Sequence, residues 1–342
     1  MKRAGNLFER VLDRDNLRSA VGKAMRGKRD RPEVVAFLQD LDHQLAVMAE
    51  QLRAGTFPLG RFRQFIRFDP KERVITAPCF PERVLHHAVT NVCEPVFENG
   101  LIDDTFACRA GKGRLAALVR AQQFARRFPF FLKLDIRKYF DSVPHDRLLE
   151  LLARRFKDRP LLDLFGRIVR AFRGGMGRGL PIGSLTSQHL ANFYLGWFDR
   201  FAKETLRVRG YVRYMDDMGL WADDKAELAD ALQAAEGFLR DDLRLTLKPT
   251  PYVNRVEHGM DFLGCRLYRG HMVLNRRSRR RFRRRLAWLE RLHDSGQLSE
   301  RQFQDRVTAM TAFTRTPGLC SWRFRQSVLQ QSAVSGPGPR TE

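Results

Sequence analysis

Apolar side chains recur along this chain at two spacings. Apolar residues three and four positions apart predict amphipathic helices over residues 32–53, 145–156, 161–172 and 226–239, and a long helix running through Leu190 to Phe201. Short apolar or alternating runs predict strands at 65–68, 74–75, 130–136, 243–247 and 262–268, with two more inside 211–222. Helices that flank a few separated strands predict an α+β fold.

The pattern changes at Asn275. Residues 276–291 contain nine arginines and one glutamate on a predicted helix, whose apolar stripe is Phe282, Leu286 and Leu289. We expect helix to continue to about Gln330, followed by a loose Gly- and Pro-containing tail. The predicted regions are an N-terminal helical extension (1–60), a central α+β region (61–272), an Arg-rich helical region (273–331) and the tail (332–342).

Charge is the compositional outlier. The 342 residues are 43% hydrophobic and 11% aromatic, which is a globular composition. However, 62 Lys and Arg residues stand against 39 Asp and Glu residues, a net charge of +23. Such a chain is expected to lie beside a polyanion, with nucleic acid as the first candidate and an anionic membrane surface as the second.

Several classes are disfavoured by what the sequence lacks. The basic start is not followed by the apolar segment of a secretory signal, and no apolar run approaches the ~18 residues of a membrane span. The five cysteines are scattered and odd in number, so we expect free thiols in a reducing cytoplasm. Neither an HExxH motif nor a P-loop is present, which disfavours zinc-hydrolase and P-loop chemistry.

Three carboxylates stand out by their context. Asp216 and Asp217 lie at the predicted tip of an apolar hairpin, and Asp135 ends another strongly apolar strand. Buried adjacent carboxylates are costly unless a cation neutralises them. If these strands are neighbours in one sheet, the three carboxylates meet at one edge, as a two-metal phosphoryl-transfer site requires. From spacing alone, an ordinary acidic turn is the alternative.

Residues 214–217 (YMDD) resemble the YxDD motif of reverse transcriptases, and residues 131–141 resemble that family's first catalytic segment. Other motifs follow in the family's order across about 55–270. The resemblance implies a right-hand polymerase with fingers and a palm, which contains a small antiparallel sheet, at 61–272 and a helical thumb at 273–331. It implies Asp135, Asp216 and Asp217 as catalytic residues that, together with Ile136, hold two Mg²⁺ ions, with Mn²⁺ as a substitute metal.

The resemblance also implies contacts with the incoming nucleotide. Lys71 and Arg73 lie in a segment similar to the fingers segment that grips the triphosphate, a role that suits a bidentate arginine. Phe140 stands at the steric-gate position that excludes a 2′-hydroxyl. Lys248 matches the lysine that acts as an acid for the leaving pyrophosphate. Without the resemblance, each has a simpler interpretation. Lys71 and Arg73 would lie in a solvated turn, Phe140 would be a core aromatic, and Lys248 would be a solvent-exposed lysine at a strand end.

Two further motifs are implied to contact nucleic acid. Residues 106–113 resemble a segment in which Arg109 and Lys112 face the template backbone. Phe262, Leu263 and Gly264 match the primer grip, where a glycine allows close approach of a nucleic-acid strand.

The Arg-rich helix corresponds to the thumb. One face of a thumb helix packs on the palm and another follows the duplex backbone, where arginines contact phosphates. Arg280 and Arg284 are the residues expected to make these contacts. A solvated basic helix is the alternative.

Residues 180–188 (LPIGSLTSQ) are the most specific stretch. Most reverse transcriptases carry glutamine at the position of Ile182, beside the glycine that lies against the nucleotide. Isoleucine there resembles the diversity-generating retroelement branch, which copies a template-repeat RNA into cDNA with errors opposite adenine. An apolar side chain removes a polar contact that helps to discriminate correct pairing. Ile182, Gly183 and Gln188 are therefore expected in the nucleotide pocket; packing at a helix entry is the alternative for Ile182.

The implied partners are template RNA, a DNA or RNA primer with its cDNA, dNTPs and a small, basic, oligomeric accessory protein. A membrane is not among the expected partners. We expect no endonuclease or DNA-binding module after the thumb. Two alternatives remain: a reverse transcriptase of another prokaryotic lineage (retron, group II intron-like or phage defence), or an RNA-binding, maturase-like protein with a vestigial polymerase site.

Overall fold

A computed structural model describes residues 2–68, 72–172, 175–249 and 251–311. The helices in chain order are α1 (Phe8–Leu12), α2 (Arg14–Ala24), α3 (Pro32–Gln39), α4 (Leu41–Arg53), α5 (Phe80–Glu98), α6 (Arg114–Arg127), α7 (Tyr139–Ser142), α8 (His145–Ala153), α9 (Arg159–Ala171), α10 (Leu185–Arg200), α11 (Lys225–Asp241), α12 (Arg276–Asp294) and α13 (Glu300–Thr311). A π-helical turn, Phe201–Thr205, follows α10, and a short 3₁₀ helix spans Val256–His258.

The strands are β1 (Phe62–Phe68), β2 (Glu72–Pro78), β3 (Phe130–Asp135), β4 (Gly210–Tyr214), β5 (Asp217–Ala222), β6 (Tyr252–Arg255), β7 (Met260–Phe262), β8 (Cys265–Leu267) and β9 (Met272–Leu274). They form the hairpin β1–β2, a four-stranded sheet in the order β4-β5-β3-β6, and a three-stranded sheet β7-β8-β9. All the neighbouring strands pair antiparallel. The α+β class is therefore confirmed.

Two compact units make up the chain, and each combines separate segments. The first contains Met1–Asp103, Ile136–Phe201 and Ala235–Lys248. The second contains Asp104–Asp135, Ala202–Ala234 and the chain from Pro249 onward. The division at residues 60, 272 and 331 stays a prediction, and the expected tail and the end of the expected C-terminal helix lie outside the described residues.

Side-chain caps explain where several helices begin. The Asp13 carboxylate accepts hydrogen bonds from the backbone N–H groups of Asp15 and Asn16 at the start of α2. Asn275 caps α12 in the same way by accepting from Ser278 N. Short polar side chains favour these positions because they satisfy N–H groups that have no partner inside the helix.

Three expected elements differ from the structure. The helix expected over 32–53 is two helices, because Asp40 leaves the helical conformation (φ −130°, ψ 53°) between α3 and α4. The strand expected over 243–247 is wrong: Arg244 has a positive φ of 50°, and only Leu247 forms an isolated bridge, with Ile136. The strand expected over 262–268 is a hairpin of β7 and β8, turned by Leu263 and Gly264 at positive φ.

The core of the second unit explains the apolar stripe of the arginine-rich helix. Phe282 and Leu286 of α12 are buried in a cluster with Phe131 of β3, Trp221 of β5 and Phe262 of β7. The packing face predicted from the 3.6-residue period is therefore confirmed. Among the described residues, no helix is both long enough and apolar enough to cross a membrane. Four cysteines are free thiols, as expected; Cys320 lies outside the described residues.

Candidate active site

The strand register brings the three carboxylates among the predicted metal ligands to one end of the four-stranded sheet. Asp135, the last residue of β3, stands directly opposite Asp217, the first residue of β5. Asp217 also pairs with Tyr214 of β4, so Met215 and Asp216 form a two-residue turn between these strands. The condition set by the sequence, that the two carboxylate-bearing strands are neighbours in one sheet, is therefore met.

Lys133 is a charged residue of this sheet that the motifs did not single out. It lies two residues before Asp135 on β3, so both side chains project from the same face. Its ammonium group forms an ion pair with the Asp217 carboxylate and lies 5.5 Å from the centre of the Phe262 ring. The Lys133 side chain is only 13% exposed, and a lysine in such a place needs a negative partner.

The donor set fits Mg²⁺ by type. Carboxylate oxygens are ligands that this ion prefers, and one oxygen of Asp135 is completely buried. The described residues contain no group of three or more acidic, His or Cys side chains arranged closely enough to hold a metal ion. Lys133 neutralises part of the carboxylate charge. The metal-ligand roles of Asp135, Ile136, Asp216 and Asp217 therefore stay a prediction.

A buried arginine supports the turn that carries Asp216. Arg213 on β4 has no exposed surface, and its guanidinium donates a hydrogen bond of 3.1 Å to the carbonyl oxygen of Met215. Met215 adopts a left-handed φ of 55°, which is unusual for a non-glycine residue. An arginine inside an apolar strand is the sequence signal that could have identified this support.

Three predicted nucleotide-pocket residues of the first unit lie along one hydrogen-bonded segment. Leu180 N donates to Phe140 O at 2.7 Å, and Thr76 N of β2 donates to Ile182 O at 2.7 Å. Gly183 has a φ of 122°, and a Cβ atom there would lie 2.8 Å from Ile75 Cγ2. Only glycine therefore fits where this segment passes β2.

The β1–β2 hairpin carries an arginine pair that favours anions. Arg73 of β2 stands directly opposite Arg67 of β1, and both are exposed. Like charges in this register destabilise a hairpin unless an anion neutralises them. Lys71 lies outside the described residues.

The other two residues expected near the nucleotide are half-buried. Gln188 is in the first turn of α10. Lys248 follows a segment that pairs with the chain after β3, since Arg137 N donates to Thr246 O at 2.9 Å and Leu247 bridges Ile136. Their roles stay predictions.

Arg109 and Lys112 are half-buried and contact their own loop. Arg109 Nη1 donates to Thr105 O at 2.7 Å, and Lys112 Nζ lies 5.3 Å from the centre of the Phe106 ring. Contact of either residue with a template stays a prediction.

The primer-grip segment is a turn that the protein itself holds. Phe262 is buried, and the Leu263 carbonyl accepts two hydrogen bonds from Arg114, at 2.9 and 2.7 Å. Gly264 has a φ of 81°, and a Cβ atom there would lie 2.8 Å from Ser278 Oγ. Glycine is thus required by the turn and by α12, whether or not a nucleic-acid strand approaches.

All nine arginines of residues 276–291 are exposed, including Arg280 and Arg284. These two are four residues apart and therefore share one face of α12. Trp288, on the same helix, is 46% exposed. An exposed arginine face beside an aromatic side chain is typical of nucleic-acid contact.

The first unit also contains a cationic cavity that the sequence did not reveal. It has a volume of about 580 Å³, and its charged lining consists of Lys28, Arg31, Arg61, Arg63, Arg83 and Glu33. Burial and the neighbouring Arg83 and Arg31 lower the pKa of Lys28 below its ordinary value. Excess positive charge in a cavity of this size suits a phosphate-rich ligand.

A family model described as reverse transcriptase (RNA-dependent DNA polymerase) matches residues 68–267, more than half of the chain. This chain belongs to the reverse transcriptase family. The expected enzyme class, an RNA-directed DNA polymerase, is thereby confirmed at the level of the family. Domains of this family use divalent metal ions, typically Mg²⁺.

Relatives agree with this assignment. Protein YkfC of Escherichia coli is 24% identical over 275 residues, covering 66% of this chain and 71% of that protein. Group II intron-encoded protein LtrA of Lactococcus lactis is 24% identical over 171 residues, covering 47% of this chain. The chain spans only 28% of the length of LtrA.

A solved structure of telomerase from Candida albicans, in complex with a fragment of telomeric RNA, aligns with 86% of this chain and 56% of that chain. The TM-score is 0.52 at 12% identity, so the likeness concerns the fold. Together with the family match, it confirms the right-hand polymerase fold.

Proposed function

We propose that this reverse transcriptase copies an RNA template into DNA by adding dNTPs to a primer 3′-hydroxyl. The observation that carries the proposal is the register of Asp135 opposite Asp217, with Asp216 in the adjoining turn. Three carboxylates at one sheet end are oxygen donors of the type that a two-metal site would use, once their side chains turn toward the ions. Two bound Mg²⁺ ions, or Mn²⁺ in their place, would activate the attacking hydroxyl and stabilise the leaving pyrophosphate.

The chain's own residues would bind and orient the substrates. Arg73 and Arg67 present paired positive charge to a triphosphate. Gly183, held beside β2, would lie against the nucleotide, and Phe140 would exclude a 2′-hydroxyl. Lys133 would hold Asp217 in place through their ion pair.

Primer extension on a defined RNA template tests the proposal. Asp135→Asn, Asp216→Asn and Asp217→Asn should each reduce dNTP incorporation to background, because the amide removes the charge that a cation needs. RNA affinity, measured by filter binding, should be retained. Asp230→Asn is the matched control, since Asp230 is exposed on α11. Wild-type incorporation by any of the three site variants would refute the assignment of that residue.

We further propose that the enzyme belongs to the diversity-generating retroelement branch and that Ile182 contributes to errors opposite template adenine. The support is the segment 180–188, in which Ile182 is half-buried and its backbone is fixed by Thr76. Sequencing the products of wild type and Ile182→Gln on one template tests this. Misincorporation at adenines should fall in the variant, and equal rates in both would refute the link.

The relatives favour a second candidate. LtrA is named as a group II intron-encoded protein, so a group II intron-like reverse transcriptase is compatible with the same site. A template with a near-repeat of a neighbouring gene would favour the retroelement branch; an intron RNA would favour the alternative.

The proposed partners are template RNA, primer, cDNA and dNTPs in the cytoplasm. The cationic cavity and the arginine face of α12 provide surfaces for the nucleic acids. A small, basic, oligomeric accessory protein belongs to the retroelement proposal. Co-purification with such a protein encoded beside the gene would support it.

A further inference from the structure

A cluster of three buried polar side chains, Ser184, His86 and Glu82, lies in the first unit, next to the segment expected to bind the nucleotide. Ser184 Oγ and His86 Nδ1 are 2.6 Å apart and share a hydrogen bond. His86 Nε2 faces Glu82 Oε1 at 3.5 Å without a hydrogen bond between them. The other oxygen of Glu82 accepts a hydrogen bond of 3.0 Å from Gly60 N. The three side chains are 0%, 2% and 1% exposed.

The hydroxyl of Ser184 is not used as a helix cap. Ser184 is the N-cap residue of α10, a position where serine usually accepts a hydrogen bond from the helix backbone. Here no such side-chain bond forms, and the hydroxyl is directed to His86 instead. The serine therefore links α10 to α5, the helix that carries His86 and Glu82.

A cluster of Ser, His and Glu side chains also has the residue types of a hydrolase triad. A nucleophile must reach its substrate, and Ser184 has no exposed surface. The buried Ser184–His86–Glu82 cluster is therefore suited to holding the backbone in place and not to attacking a substrate.

The Ser184–His86–Glu82 cluster holds residues 182–184, which are expected to bind the nucleotide, from one side, while β2 holds them from the other. Ser184 follows Gly183 directly, and the carbonyl oxygen of Ile182 accepts from Thr76 N of β2. At the far end of this cluster, the Glu82 carboxylate accepts from the backbone N–H of Gly60, two residues before β1 begins. Since β1 pairs with β2 along its whole length, both attachments lead to the same hairpin.

We propose that Glu82, His86 and Ser184 are positioning residues that hold residues 182–184 against the hairpin and thereby set the affinity for the incoming dNTP. This inference rests on the proposed function of that segment. His86 Nδ1 can accept a hydrogen bond from the Ser184 hydroxyl, while His86 Nε2 faces the Glu82 carboxylate at 3.5 Å. A change at any of the three leaves a buried polar partner unsatisfied.

Steady-state dNTP incorporation separates positioning from general damage. His86→Ala and Ser184→Ala should each raise the KM for dNTP about tenfold, the order expected for one lost buried hydrogen bond, and change kcat less. The double variant should resemble the single variants, because both remove the same link. His86→Asn, whose amide can still reach Ser184, should recover part of the loss.

His87→Ala is the matched control, because His87 is the next residue of α5 and only half-buried. It should leave the KM unchanged. Additive effects of His86→Ala and Ser184→Ala, or a wild-type KM in either, would overturn the proposal.

Amide hydrogen exchange gives a readout that does not need catalysis. In Ser184→Ala, the smallest change of the set, exchange at Thr76 and at residues 182–188 should accelerate, while exchange in the second unit stays as in wild type. Unchanged exchange would refute the positioning role even in an active enzyme. Faster exchange in a protein whose wild type incorporates no dNTP would instead refute the proposed function and leave the anchoring intact.

Discussion

The guanidinium of Arg213 donates a hydrogen bond to the carbonyl oxygen of Met215, at 3.1 Å, inside the hairpin whose turn carries Asp216. Arg213 has no exposed surface, and Met215 is held at a left-handed φ of 55°. A buried cation is therefore one support of a backbone conformation that the turn would not adopt readily by itself.

Replacing this arginine should destabilise the fold as well as the turn. Arg213→Met keeps much of the side-chain volume but leaves the part-buried carbonyl oxygen of Met215 without this donor. The free energy of unfolding should fall by about 2–4 kcal/mol, measured by urea denaturation. Arg209→Met is the control, because Arg209 is about half exposed and pairs with Asp223 at the surface. It should change stability by less than about 1 kcal/mol. Equal losses in both variants would contradict the role of Arg213.

Gly183→Ala should weaken nucleotide binding. The added Cβ atom would lie 2.8 Å from Ile75 Cγ2 and 3.0 Å from Thr76 O, so the segment must move away from β2. Stability should fall by about 1–3 kcal/mol, and the KM for dNTP should rise. Gly296→Ala separates the two effects, because Gly296 also has a positive φ, 72°, but no atom near the added Cβ. That control should lose stability without any change in KM.

Arg280→Gln and Arg284→Gln should weaken duplex binding without regard to sequence. Each lost phosphate contact should reduce the slope of log K against log salt concentration by about 0.9. Fluorescence anisotropy over a salt series measures both quantities. Arg240→Gln is the control, because Arg240 already pairs with Asp241. A slope that stays at the wild-type value in the double variant would show that this helix face does not contact the duplex.

The cationic cavity should bind single-stranded RNA. Arg61→Gln combined with Arg63→Gln should lower RNA affinity and reduce the salt slope by about 0.7 for each lost contact. Arg18→Gln provides the comparison, because Arg18 forms an ion pair with Asp42. Unchanged affinity in the double variant would mean that the cavity serves another ligand.

His87 should make stability depend on pH. Burial, reinforced by Lys23, His86, Arg83 and Lys28, lowers its pKa from 6.5 to about 4. Between these values the unfolded chain binds a proton that the folded chain does not. The free energy of unfolding should therefore fall as the pH drops from 6.5 toward 4.

Urea unfolding across this pH window measures the effect. His87→Gln should flatten the curve specifically there. If the free energy of unfolding of the variant depends on pH as it does in wild type, another group is responsible.

Local patterns in the sequence determined much of this protein. Alternation and apolar runs located β3, β4 and β5, and with them Asp135, Asp216 and Asp217. The 3.6-residue period identified the buried stripe of α12 among its arginines. The motifs placed the chain in its family, because each motif is a short contiguous segment whose residue types are dictated by its own chemistry.

The same patterns missed α5 because it has no clean apolar stripe. Glu82, His86 and Thr90 are buried on it together with its apolar residues. A helix surrounded by protein on most sides loses the period that reveals surface helices.

Only the tertiary structure decided which distant residues meet. Ser184 and His86 are 98 positions apart, and Lys133 and Asp217 are 84 apart. The sequence carries no local signal for such pairs, since strand register and helix packing bring them together. The carboxylates proposed to bind metal were thus predictable one strand at a time. Three further features follow only from the fold: the opposition of these carboxylates across the sheet, the lysine that pairs with one of them, and the buried Ser184–His86–Glu82 cluster next to Gly183.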